Sequence, residues 1–298
     1  MSKLSAHVME GRGLLQVGGA DARSFLQGIV SNDVERVAPE RAIWAAFLTP
    51  QGKYLHDFLM AQGPEGTLWL DCEAERRNDL LKRLKLYKLR SKVQLTDRTE
   101  ELASLVIWGD GAVTAADLPA EAGAARAFQG GSLFVDPRRA ELGLRALIPR
   151  SALDAALAEL DAEAVDLAAW ERARIAAGVP DGSRDMQVDK AILLENGFDE
   201  LGGVDWSKGC YMGQELTART KYRGLIKKRL LPVEIAGPAP EPGTPVTKDG
   251  KEVGELRSVA DGLGLALLRL AALEDLAPET LLAGDARLTP KKPDWAAF

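Results

Sequence analysis

The densest chemistry in this sequence lies in Lys208-Gly-Cys-Tyr-Met-Gly-Gln-Glu215, continued by Leu-Thr-Ala-Arg219. Gly209 and Gly213 permit backbone conformations and close approaches that other residues resist. An extended run from Trp206 to Cys210 places Trp206, Lys208 and Cys210 on one face, because side chains alternate along a strand. A lysine beside a thiol favours the thiolate, which is the reactive form. A short helix after Gly213 sets Glu215 and Arg219 at i, i+4 spacing and adds positive potential near Cys210. Two readings stand for Cys210: an activated, accessible thiol, or a small buried residue in a turn, since free cysteine is among the most buried residue types. Cys72 has only the buried reading, because Asp71 and Glu73 beside it oppose thiolate formation.

Other chemistries are excluded by count. The chain has two cysteines and two histidines, His7 and His56. No Cys-x-x-Cys occurs, so neither a disulfide scaffold nor a closed zinc site is expected, and no metal ligand set is assigned. Two thiols fall short of the usual four per iron–sulfur cluster, although one thiolate can serve as a transient ligand. Gly11-Arg-Gly13 and Gly262-Leu-Gly264 lack the third glycine of a dinucleotide-binding turn. No histidine base completes a Ser-His-Asp or Cys-His arrangement. A net charge of −6 argues against a nucleic-acid coat. Two basic stretches remain: Arg76 to Lys92, and Arg219, Lys221, Arg223, Lys227, Lys228, Arg229. Each is a solvated face or a phosphate-facing surface. No apolar run approaches the ~20 residues that span a bilayer, so no membrane partner is expected. Met1–Glu10 shows neither a signal core nor a transit pattern, and a reducing cytoplasm is the expected location.

The elements that must position these residues are short. Hydrophobic residues make up 46%, an ordinary globular proportion. Gly13–Val17, Ala42–Leu48, Tyr54–Met60, Thr67–Asp71, Leu102–Trp108, Ser132–Asp136 and Leu142–Ile148 read as strands. Thr49-Pro-Gln-Gly52 is a hairpin turn. Asp21 leads into a helix with Phe25, Leu26, Ile29 and Val30 on one face. Further helices are expected from Glu73 to Leu89, from Ser151 to Leu160, and from Leu167 to Ala177, the last stopped by Gly178 and Pro180. Val179–Gly213 is long and irregular, as functional segments often are. Around the linker Ala236–Gly243, Lys228–Ile235, Thr244–Thr247, Val253–Val259 and Leu263–Leu268 read as strands, with an Asp-Gly hairpin at Lys248–Lys251. This tail reads as a small all-β unit, and a barrel is expected.

The Lys-Gly-Cys-Tyr-x-Gly-Gln-Glu string resembles the signature of the YgfZ family. Val17-Gly-Gly-Ala-Asp-Ala-Arg-Ser-Phe-Leu-Gln-Gly28 with Asn32-Asp33, Leu48-Thr-Pro-Gln-Gly-Lys53, Arg174-Ile-Ala-Ala-Gly-Val-Pro180, Leu201-Gly-Gly-Val-Asp205 and Tyr222-Arg-Gly224 resemble further family motifs, in order from Leu14 to Arg229. The resemblance implies an α+β fold, the aminomethyltransferase-like folate-binding fold: modules around a central channel over residues 1–225, then a C-terminal β-barrel over 226–298. It implies an accessory protein in assembly or repair of iron–sulfur proteins, with tetrahydrofolate as ligand and iron–sulfur client or assembly proteins as partners. Lys208 and Cys210 match the positions most associated with function. Tyr211, Gln214, Glu215, Asp57 and Arg174 are carried over as cofactor contacts. Trp170 stacks on a pterin if exposed, or is core. True aminomethyltransferases carry adjacent acids where this chain has His56-Asp57, and a glutamate where it has Ala176; Glu195 is a substitute acid. Two alternatives follow: a folate-dependent aminomethyl or one-carbon transferase, and a tRNA-contacting protein in tRNA modification.

Overall fold

The computed structural model describes residues 3–273 and 281–297, so the last residue and part of the expected barrel span lie outside the described residues. The strands in chain order are β1 Leu4–Val8, β2 Arg12–Gly18, β3 Ile43–Leu48, β4 Tyr54–Gln62, β5 Leu68–Glu73, β6 Gln94–Asp97, β7 Leu102–Trp108, β8 Ala125–Phe128, β9 Gly131–Val135, β10 Leu144–Pro149, β11 Ala162–Ala164, β12 Lys228–Ala236, β13 Pro245–Lys248, β14 Lys251–Ala260, β15 Leu263–Arg269, β16 Leu281–Ala283 and β17 Ala286–Pro290. The helices are α1 Ala22–Gln27, α2 Arg77–Lys88, α3 Ala112–Ala115, α4 Leu153–Glu159, α5 Ala168–Ala176, α6 Gly182–Asp185 and α7 Gln214–Tyr222.

The chain divides into two compact units of interleaved segments. The first runs through Leu48, then takes Leu55–Leu167 and Gly202–Met212; the second takes Thr49–Tyr54, Ala168–Leu201 and everything from Gly213.

The first unit holds a five-stranded sheet, β3-β4-β5-β2-β6, and a six-stranded sheet, β11-β1-β7-β10-β9-β8. All of β3 is buried, as its Ile-Trp-Ala-Ala-Phe-Leu composition demands. A buried carboxylate ties the two sheets: Asp71 on β5 accepts from Arg12 Nε on β2 (2.6 Å) and from Ser104 Oγ on β7 (2.9 Å). Burial pushes the neighbouring Cys72 thiol up to about 12.

Two helices differ from expectation. α1 stops at Gln27, because the chain leaves it at Gly28 and Val30 pairs instead with Phe47. α2 starts at Arg77, since Glu73 still belongs to β5 and Ala74–Arg76 make the turn.

The second unit is built on a closed six-stranded barrel, β12-β15-β14-β13-β16-β17. Its core is aliphatic: Val233, Val246, Leu256, Ala266, Leu268, Leu281, Ala283 and Leu288. The β13–β14 hairpin turns at Asp249 (φ 51°) and Gly250 (φ 74°), the two positive-φ positions that match the right-handed strand twist. Helix α5 lies against β12, β14 and β15.

Candidate functional site

In the first unit the signature segment does not form a strand. It bends over Trp206–Lys208, and the Asp205 carboxylate accepts from the backbone N–H groups of Ser207 (2.7 Å) and Lys208 (2.9 Å). The expected alternation of Trp206, Lys208 and Cys210 on one strand face is therefore replaced by a turn built around Asp205, a geometry that Asp favours.

Lys208 turns inward. Its Nζ donates to the carbonyls of Gln27 (2.9 Å), Val30 (2.5 Å) and Asn32 (2.8 Å), and stands 5.0 Å from the centre of the Tyr211 ring. An ammonium has three N–H donors, and here each has a carbonyl. Burial drives the amine down to about 8, opposed by the charges of Asp33 and Asp205. The lysine is thus a clamp between the signature and the N-terminal motif.

Further bonds repeat the stitch. Ser31 Oγ donates to Gly203 O (2.6 Å) and accepts from Ala46 N (2.8 Å). Asn32 Nδ2 donates to Trp44 O (2.7 Å) and Gly202 O (2.8 Å). Asp205 N donates to Ser31 O, and Met212 N to Gly28 O. Tyr211 is buried, whereas Cys210 is exposed, so of its two readings the accessible thiol is the one that matches the structure. Ser31, Asn32 and Asp205 carry this geometry without having been singled out for a role; the adjacent pair of small polar residues in an apolar motif was the available signal.

Asp57 is buried and accepts from Trp44 Nε1 (2.9 Å). His56 beside it is buried too, and its Nε2 lies 2.9 Å from Asp79 Oδ2. Burial, helped by Arg76, lowers the imidazole to about 4, which outweighs Asp79's pull in the other direction. This chain therefore places a neutral imidazole where an aminomethyltransferase has its second acid.

The remaining candidates fall in the second unit. Trp170 on α5 is 1% exposed, so the exposed stacking aromatic is absent and the ring is buried in the core. Arg174, one turn later, is fully buried. Its Nη1 donates to Asp185 Oδ2 (2.9 Å) and Val179 O (2.7 Å), its Nε and Nη2 to the two Glu171 oxygens, and Nη2 also to Ser258 Oγ. Those donors are spent on closing α5 onto α6 and the barrel, and none points to a ligand. Ala176 is exposed at the end of α5. Gln214 and Glu215 open α7, with Gly213 as its N-cap. Gly52, from the hairpin motif, sits in this unit at φ +81°, where an added Cβ would stand 2.6 Å from Gly213 O and from Leu216 Cβ. Two motifs far apart in sequence thus meet at a pair of glycines. Burial raises the Glu195 carboxyl above the usual range, against the charges of Lys228 and Lys53. Among the described residues no group of three or more His, Cys, Asp or Glu could hold a metal ion.

Tetrahydrofolate, the group that the fold family implies, does not fit the residues carried over for it in the second unit. Trp170 offers no face, Arg174 no donor and Ala176 no carboxylate.

Known proteins agree with the architecture. The chain resembles the glycine cleavage system aminomethyltransferase T from Bartonella henselae, with a TM-score of 0.76 over 97% of this chain and 85% of that one, at 15% identity. Residues 9–118 match the model of the GCVT N-terminal domain, and residues 227–298 that of the CAF17 C-terminal beta-barrel domain. The fold is the aminomethyltransferase-like one, with a closed C-terminal barrel. In sequence the chain is 32% identical to "Iron-sulfur cluster assembly factor IBA57, mitochondrial" of Mus musculus, over 96% of this chain and 84% of that one. Against the protein of the same name from Homo sapiens the identity is 35%, over 87% and 76%. The chain belongs to the family of these factors, whose bacterial relatives are the YgfZ proteins.

The cytoplasmic location expected from the sequence is corrected by these relatives, which are named mitochondrial. A low cysteine count marks a reducing environment, and more than one compartment is reducing.

Proposed function

We propose that this chain takes part in iron–sulfur cluster assembly, and that Cys210 is the group that meets the cluster or its carrier. The observation that supports this reading is an exposed thiol on a loop fixed by three carbonyl bonds from Lys208, two residues away. A thiolate held in one place can lend a ligand to a cluster that is passing through; a partner must supply the others, since a cluster normally takes four. Lys208 positions the loop. One-carbon transfer is the weaker reading, because the His56-Asp57 segment carries one carboxylate and that one is engaged by Trp44. No step is routed through folate.

The test is complementation. In cells that lack their own copy, Cys210→Ser is expected to leave iron–sulfur enzymes inactive while the protein accumulates in folded form. Wild-type levels of those activities with Cys210→Ser would end the proposal.

A further inference from the structure

Helix α2 was legible as a basic helix, but the structure adds what its C-terminal end exposes. Leu80 and Leu84 are fully buried and fix the helix on the first unit. Tyr87 is half-buried, edge-on to Phe47 with ring centres 5.9 Å apart. Leu86 and Leu89, by contrast, are 71% and 86% exposed. Leu89 adopts φ 47°, ψ −112°, a backbone region that a leucine enters at a cost. The turn is pinned after it: Ser91 N donates to Lys88 O, Lys92 N donates to Asp21 Oδ2 (2.6 Å), and Val93 is buried. Leu89 is therefore held outward by its surroundings.

Charge is segregated in the same place. Leu80–Thr96 contains Lys82, Arg83, Lys85, Lys88, Arg90 and Lys92 and no acid, in a chain of net charge −6. Arg83 is taken by Asp79 at 2.7 Å. The other five have no carboxylate at ion-pair distance among the described residues. The acids Glu73 and Glu75 lie at the opposite end of a helix about 18 Å long. The hollow beside Leu89 is lined by Asp21, Arg90 and Ser91, and the Asp21 carboxylate is occupied by Lys92 N.

We infer that this helix end is a peripheral docking surface for an anionic lipid bilayer. Aliphatic side chains that protrude, ringed by cations on long stems, combine the two signals that reversible bilayer binding requires: apolar insertion and attraction to anionic headgroups. A nucleic acid has no use for exposed leucines, and the one aromatic ring of this helix, Tyr87, is half-buried and set edge-on against Phe47. This contact lies on the surface; no helix among the described residues is long and apolar enough to cross a membrane.

The test is co-sedimentation of the full chain with vesicles of phosphatidylcholine alone or mixed with phosphatidylglycerol, at low and high salt. Binding is expected only to the anionic vesicles, and to weaken with salt. Leu86→Ser/Leu89→Ser and Lys85→Glu/Arg90→Glu are each expected to reduce it by about tenfold or more. All four side chains are at the surface, and circular dichroism checks that the variants fold. Binding that ignores lipid charge, or that survives loss of both leucines, overturns the inference. So does an absence of vesicle binding, whether or not the chain then binds tRNA or poly-glutamate.

Discussion

Replacing Lys208 with methionine keeps the apolar stem and removes the ammonium. Three carbonyls, of Gln27, Val30 and Asn32, then lose their donor. A hydrogen bond to a charged group contributes about 1.5–3 kcal/mol, so three give about 4.5 kcal/mol at the low end of that range. Against this stands the cost of burying the charge. The fall of the amine from 10.5 to about 8 corresponds to about 3.4 kcal/mol. The difference is about 1 kcal/mol of stability at neutral pH, concentrated where the loop meets the N-terminal motif. Denaturant titration should show that loss. Hydrogen exchange should show faster amides at Asp205 and Met212, whose partners are Ser31 O and Gly28 O. Cys210 should be alkylated at least as fast as before, on a looser loop. The opposite pattern would refute the clamp: unchanged exchange with slower alkylation would make Lys208 an electrostatic activator of the thiol.

Three further outcomes are expected. His56 is neutral in the folded state down to about pH 4 but titrates near 6.5 when unfolded, so the unfolded chain binds more protons between those values and stability falls as pH drops through that window, by about 3 kcal/mol; His56→Gln should flatten this part of a stability–pH curve. Gly52→Ala should destabilise by about 2 kcal/mol or more, through its left-handed backbone and the collision with Gly213 O, read as a lower melting temperature. Because Trp170 is buried and the Arg174 donors are taken, Ala176→Glu, which supplies only a carboxylate at the exposed end of α5, should leave tetrahydrofolate affinity unchanged in calorimetry; binding tighter by about tenfold would place the pterin at this position after all.

The barrel was readable because β12, β14 and β15 are long enough to show alternation and because Asp249-Gly250 announces a hairpin. Strands β16 and β17 were missed; three and five residues around a tight turn carry too little pattern. The signature led to Cys210 directly. It could not reveal what Lys208 does, because its carbonyl partners lie 176 to 181 residues away. Trp170 and Arg174 show the same limit. Their spacing on α5 is visible, but their burial is not, and the partners of Arg174 on α6 and the barrel are brought there only by tertiary packing.

The way the segments interleave governs when this protein can be completed. A ribosome emitting ~5–20 residues per second delivers the sheets of the first unit well before Gly202–Met212 emerges, and domains commonly fold as they appear. Until then the carbonyls awaiting Lys208 face solvent, and the second unit in turn must hold a place for Thr49–Tyr54, made long before it. Neither half is therefore an independent cassette. A chain cut at any single point between Leu55 and Gly202 leaves one unit short of a segment of its own sequence, so nonsense or truncation alleles in that span are expected to yield no working fragment, and Cys210 is locked in place only after most of the polypeptide exists.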